Sequence, residues 1–337
     1  GLCARLRQGA FDAAVIFTVY SQSALPAALF CHLAGIPLRL AHCRENPYGL
    51  LTDWVPETEP AQRIRHEAQR QLDLVASIGA GLPRGISTDA TRMRFTVPPA
   101  ARAAMQRRLE EMGLREDERL VVLHPGATAA SRRYPPERYA EVAARLASRH
   151  ACRVLVTGGS DETDLADTVC RLSRDVASER WRHPRQVHNL AGQLELVELA
   201  ALIARSELLI SNNSGPVHIA SAVGTPVVDL YALTNPQHTP WQVPQRVLSH
   251  DVPCKYCYKS ICPEGHNNCL RLISPDEVVA AACELLLEGR SPGARHTVAA
   301  QPGRTAPPSH GASHADHPIS APAISCVGAV RLHALPS

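Results

Sequence analysis

Lysine is nearly absent: Lys255 and Lys259 are the only two among 35 basic residues, and the rest are arginine. No run of about eighteen apolar residues occurs, so no membrane-spanning helix is predicted. The most apolar stretch, residues 24–38, is broken by Pro26, His32 and Pro37 and reads as a core helix and loop. No basic-then-apolar leader opens the chain, so no secretion signal is expected. A start at Gly1 rather than Met fits a piece of a longer protein. The net charge of +3 is too small to argue for a nucleic-acid partner, and none is expected.

What is present is a globular composition, 45% apolar and 20% charged over 337 residues, long enough for two domains. Short apolar segments at Leu120–His124, Arg153–Thr157, Val187–Leu190, Glu207–Ser211 and Pro226–Tyr231 read as strands. Between them Pro136–Arg149, Glu162–Arg174, Glu195–Arg205 and Pro216–Val223 have helical spacing, and a last helix follows Ser274 from Pro275 to Leu287. That alternation predicts an α/β fold with a parallel sheet covered on both faces. Before it, Phe11–Tyr20 reads as a strand, and Ala24–Ala34, Arg65–Ile78 and Pro99–Met112 as helices. One strand is too little sheet for a domain, so residues 1–115 are expected to be a partial α/β domain with its connection. A second domain is expected over 116–288. From 289 to 337 a Pro-, Ala-, Ser-, Gly- and His-rich tail has no periodicity and is expected to be disordered.

Ligands of open parallel sheets collect where strands end and helices begin. Four such loops are polar here. In His124-Pro125-Gly126-Ala127-Thr128, Gly126 permits close backbone approach, Thr128 offers a hydroxyl, and Arg132 and Arg133 can meet phosphate. Thr157-Gly158-Gly159-Ser160-Asp161-Glu162 carries a carboxylate that suits either ribose hydroxyls or a helix start. It is not a GxGxxG, so no dinucleotide cofactor is indicated. In Ser211-Asn212-Asn213-Ser214-Gly215-Pro216-Val217-His218 a strand passes into a helix whose free N–H groups suit a diphosphate, with Ser214 and His218 at hand. Ala232-Leu233-Thr234-Asn235-Pro236 ends the next strand.

Eleven cysteines in such a chain read as reduced thiols, or as a local cluster. Cys254, Cys257, Cys262, His266 and Cys269 have spacings open to zinc, to packed thiols, or to a loop beside the ligand site.

At these loops the chain resembles glycosyltransferase family 9, the lipopolysaccharide heptosyltransferases. The likeness runs over roughly 1–288 and is densest at His124–Pro136, Gly158–Glu162, Asn189-Leu190-Ala191-Gly192, Asn213–His218 and the cysteine run ending in Leu270. The resemblance implies a GT-B fold, two Rossmann-like domains facing a cleft, and inverting transfer of heptose from ADP-heptose to the lipid A–core oligosaccharide. It implies no cofactor and no metal, a cytoplasmic location at the inner membrane's inner face, and peripheral membrane association. Arg132 would contact the donor's phosphates or sugar, and Glu162 the ribose. Ser214, Gly215 and His218 would surround the diphosphate, with Thr128 and Asn213 beside them. Ser21 and Gln22 would lie on the acceptor side.

The chain departs from the family at Asn213 and Asn235, where Asp is usual: an amide keeps the hydrogen bonding but loses the charge. The family's opening strand, glycine-rich loop and catalytic Asp have no counterpart, so the N-terminal domain is expected to be incomplete and the base to lie upstream of Gly1. Within the chain only His42 and Glu45 offer themselves, weakly, as a base. The rival readings are a nucleotide-sugar enzyme of the same fold with another donor or an epimerase, a non-catalytic ADP-sugar-binding remnant, and a zinc-bearing interaction module.

Overall fold

The computed structural model describes residues 1–81, 88–115, 118–180, 187–289 and 327–330. They form two compact units, Gly1–Ile86 with Thr297–Ser337, and Ser87–His296.

The first unit runs α1 (Leu2–Gln8), β1 (Ala13–Ile16), α2 (Leu25–Leu33), β2 (Leu38–Cys43), β3 (Asp53–Pro56) and α3 (Glu67–Ala76). β1, β2 and β3 are parallel neighbours, which corrects the expectation of a single strand here. β2 is hidden in the sequence because Arg39 and His42 interrupt its apolar pattern. Both are nevertheless buried. The Arg39 guanidinium survives burial by donating to the backbone carbonyls of Pro37, Gly49 and Leu50, an arrangement that only the folded chain assembles. Ile16, Ala24, Ala28, Ala41, Cys43 and Leu51 form the core beside these strands.

The second unit contains α4 (Pro99–Glu111), β4 (Arg119–His124), α5 (Pro136–Arg149), β5 (Cys152–Val156), α6 (Thr163–Arg180) and β6 (Val187–Asn189). It continues with α7 (Leu196–Arg205), β7 (Leu208–Asn212), α8 (Gly215–Val223), β8 (Val227–Leu230), β9 (Gln245–Leu248), α9 (Asn268–Arg271) and α10 (Pro275–Glu288). Its six strands are all parallel, in the order β6-β5-β4-β7-β8-β9. Apolar layers cover both faces, one with Tyr139, Val142, Ala166 and Val278, the other with Met105, Leu202, Val217 and Ala220. The expected strands and helices recur within a few residues, except that α6 extends to Arg180 and that β9 and the short α9 had no expected counterparts. β9 is an edge strand with a half-exposed Gln-Arg start, so it carries no apolar run.

The units divide at Ile86/Ser87 rather than near residue 115. α4 belongs with the second unit because Met105 and Leu109 share a core with Leu120 and Ala200. A further strand, β10 (Val327–Val330), pairs antiparallel with β1 of the first unit, Ala13 opposite Val330. At those four residues the tail is therefore not structureless: an open sheet edge recruits a segment with valine at both ends. The other tail residues assigned to disorder, from 290 onward, lie outside the described residues. No helix among the described residues is long and apolar enough to cross a membrane.

Candidate functional site

The strand order reverses between β4 and β7, and in a doubly wound sheet that switch point opens the crevice where ligands bind. The loops after β4 and β7 flank it, and the loop after β5 adjoins them. Thr128, Arg132, Glu162, Asn213, Ser214, Gly215 and His218 all fall on these three loops or their helix starts. Their local supports, however, differ from those expected.

Buried Asn212, which the motif did not single out, ties the switch point together. Its Oδ1 accepts the Tyr134 backbone N–H at 2.9 Å, and its Nδ2 donates to the Pro125 carbonyl at 2.7 Å. The β4 loop is thus fastened to the end of β7. A short 3-10 turn, Ala130–Arg132, follows. Ser131 secures it by donating to the Lys259 carbonyl at 2.8 Å, and Arg133 donates to the Ala127 carbonyl at 2.7 Å. Arg132 is half-buried, and its enclosed Nε makes no hydrogen bond among the described residues. An enclosed, unsatisfied guanidinium N–H is costly unless a ligand completes it.

Gly126 does approach something closely, but that something is Glu162. A Cβ at residue 126 would lie 2.1 Å from Glu162 Oε1. Glu162 Oε2 accepts the Gly159 N–H at 2.9 Å and lies 3.8 Å from His124 Nε2. Glu162 therefore caps its own turn while spanning two loops. Burial holds His124 below the ordinary imidazole range, Glu162 pulling it the other way. Beside this loop, Gly192 has φ +71 and donates to the Gly158 carbonyl at 3.0 Å, which seats the Asn189–Gly192 segment against it.

At α8, Ser214 is the N-cap residue but makes no side-chain cap bond. Its Oγ donates to the Asn212 carbonyl at 3.1 Å, leaving the helix start for another acceptor. Gly215 is exposed, with nothing within 4 Å of where a Cβ would stand. Its part is open space above the helix start, not an unusual backbone angle. His218 faces His238 edge-on, with ring centroids 6.4 Å apart. Buried Asn213 donates through Nδ2 to the His238 carbonyl at 2.7 Å and to Asp229 Oδ2 at 3.3 Å. Asp229 was missed in the sequence. Its only signal is one acid inside the apolar run Val227-Val228-Asp229-Leu230.

The cysteine segment docks on the fourth polar loop: Tyr256 and Tyr258 N–H groups donate to the Leu233 and Thr234 carbonyls. Cys254, Cys257, Cys262, His266 and Cys269 line one small pocket with Ser131 and Thr234, the Cys254 sulfur 4.0 Å from His266 Nε2. No group of three or more His, Cys, Asp or Glu among the described residues is arranged to hold a metal.

Ser21 and Gln22 are exposed beyond the end of β1 in the first unit. His42 is 3% exposed, its Nε2 bonded to the Arg70 carbonyl at 3.1 Å and its Nδ1 enclosed. Burial lowers its pKa. That enclosure removes it as a base for an outside substrate. Glu45 is exposed, and hydrogen bonds from its own backbone N–H and the Cys43 thiol hold its carboxyl below the usual range.

A doubly wound parallel sheet with polar loops gathered at its switch point defines an α/β protein of the Rossmann-like class. The chain matches glycosyltransferase family 9 (heptosyltransferase) over residues 2–267 and belongs to that family. It is 28% identical over 177 residues to lipooligosaccharide heptosyltransferase 2 of Campylobacter jejuni serotype O:2, covering 51% of this chain and 53% of that protein. To lipopolysaccharide heptosyltransferase 2 of Escherichia coli K12 it is 25% identical over 289 residues, 84% of this chain and 78% of that one. The chain thus spans about half the length of the Campylobacter relative in the matched region. Among solved structures, a family 9 glycosyl transferase from Veillonella parvula superposes with TM-score 0.67 at 23% identity, covering 85% of this chain and 77% of that one. The E. coli ADP-heptose lps heptosyltransferase II gives 0.64 at 24% identity, covering 86% and 80%. These likenesses show the fold, which is GT-B with two Rossmann-like units.

Proposed function

We propose that this chain belongs to an inverting transferase that moves heptose from ADP-heptose to the inner core of lipopolysaccharide. Family membership and the relatives' names support that substrate pair. The observation that carries the donor site is the switch-point trio: an enclosed Arg132 Nε without a hydrogen-bond partner among the described residues, an α8 start without a side-chain cap, and open space over Gly215.

In this reading the ribose hydroxyls meet Glu162 with Thr128 at the rim, and the diphosphate meets Arg132 and the N–H groups of α8, with His218 in the first turn. As the acceptor hydroxyl gives up its proton to a general base and attacks the anomeric carbon from the opposite side, the bond to ADP breaks and charge grows on the diphosphate. Preorganised donors at that point contribute a few kcal/mol, about 3, of barrier lowering. Ser21 and Gln22 are proposed to touch the acceptor, and neither is a base at neutral pH. Domain use follows the units: acceptor side in Gly1–Ile86, donor side in Ser87–His296. Because the acceptor carries lipid A, the reaction is proposed to take place at the cytoplasmic face of the inner membrane, with peripheral attachment there.

Calorimetry with ADP tests the donor site. Arg132→Ala should weaken ADP at least about tenfold, roughly 1.4 kcal/mol. Undiminished affinity removes Arg132 from the site.

A further inference from the structure

Asp229 is the least expected residue of the second unit. It lies mid-strand on β8 and is 0% exposed, between Val228 and Leu230, also 0% exposed. Its register partner on β7 is Ser211. Oδ2 accepts from Asn213 Nδ2 at 3.3 Å, while Oδ1 has no partner among the described residues. A carboxyl so placed destabilises the sheet relative to an apolar residue. Local rules broken in this way concentrate at functional sites.

Its one contact indicates the function. An amide side chain can present either its N–H₂ or its oxygen to a ligand, and which end is outward decides what it can bind. The His238 carbonyl and Asp229 Oδ2 take the Asn213 nitrogen between them. The oxygen of Asn213 takes no hydrogen bond among the described residues. A phosphate oxygen would be repelled by that oxygen, whereas a hydroxyl would donate to it.

The order of the sheet says which hydroxyl. Glu162 lies over β4 and β5, Arg132 and the start of α8 flank the gap between β4 and β7, and Asn213 with Asp229 lies at β7 and β8. With ribose at Glu162 and diphosphate at α8, the transferred sugar falls at the β8 end. We propose that Asp229 is a positioning residue: it pins the Asn213 nitrogen inward, so that the Asn213 oxygen receives a hydroxyl of the donor's sugar. This rests on the donor-site reading above.

The test compares calorimetric affinities for ADP and ADP-heptose in the wild type and in Asp229→Val, Asp229→Asn, Asn213→Ala and Asp229→Val/Asn213→Ala. Valine suits a buried parallel strand, so Asp229→Val should fold, and a thermal melt checks that it does. It should lose about fivefold or more of the preference for ADP-heptose over ADP while ADP affinity stays within about twofold. Asp229→Asn keeps an oxygen toward Asn213 and should retain the preference. The double variant should be no worse than Asn213→Ala, as expected when one residue acts through the other. A preference unchanged in Asp229→Val, or equally lost in Asp229→Asn, overturns the role of Asp229. If the wild type binds no ADP, the donor-site reading falls, and this inference falls with it.

Discussion

The Glu162 carboxylate occupies the space a side chain at Gly126 would need, 2.1 Å from the nearest position a Cβ could take. Two loops that follow different strands are joined by one glycine and one acid. The joint leaves the carboxylate near the switch point, accepting the Gly159 N–H and beside His124.

Gly126→Ala should therefore expel the Glu162 side chain without wrecking the fold, because a flexible carboxylate can swing away. The expected cost in stability is about 1 kcal/mol, one lost capping hydrogen bond, with a clear loss of ADP affinity. Gly215→Ala should do the reverse to stability. Alanine is favoured over glycine inside a helix by roughly 0.8 kcal/mol, a part of which applies at this first helical position, and nothing stands within 4 Å of the new methyl. ADP affinity should still fall, because the methyl enters the space assigned to diphosphate. Melting curves and calorimetry on both variants check this, and full ADP affinity in Gly215→Ala would move the diphosphate away from α8.

Burial pushes the Asp229 carboxyl up to about 8, its hydrogen bond from Asn213 offsetting only part. An unfolded aspartate titrates near about 3.9. Between those values the folded chain holds a proton that the unfolded chain has released, so stability falls with rising pH across this window. The contribution is full below about 4 and is lost as pH passes about 8. Asp229→Asn should remove it. Comparing Tm at pH 5 and pH 8.5, the wild type should drop by several degrees more than the variant. Equal drops would mean that Asp229 does not titrate in this range.

In the first unit, Arg70 is 1% exposed and binds Glu57 through Nε at 2.6 Å, Glu67 at 3.0 Å, and the Thr18 carbonyl. Burial raises the Glu57 pKa less than the Glu59 N–H and Arg70 lower it, so that carboxyl stays ionised. Arg70→Met should cost about 3 kcal/mol, since it takes the nearer guanidinium from buried Glu57 and leaves only Arg65, at 3.9 Å. Urea unfolding of the whole chain should show the loss in the transition that reports this unit. A loss below about 1 kcal/mol would mean that Arg65 or water takes the place of Arg70 at Glu57.

The second unit was legible in the amino-acid order because its strands are continuous apolar runs and its helices carry strong starts. Ser274 with Glu277 forms a capping box at α10, a signal that needs only three-residue spacing. The polar loops were legible for the same reason: glycine, asparagine and serine gather where a parallel strand must end. β2 was not legible, because Arg39 looks like loop until distant carbonyls are brought around its guanidinium.

The sequence by itself determined the α/β alternation, the phosphate-suited loops and the family, all of which depend on local pattern and motif order. Only the tertiary structure decided that Gly126 makes room for Glu162, that Asn212 fastens β4 to β7, and that Asp229 lies under Asn213. Each of those relations joins residues from different strands or loops. Whether a polar group is satisfied, orphaned or aimed depends on neighbours that the order of residues does not name.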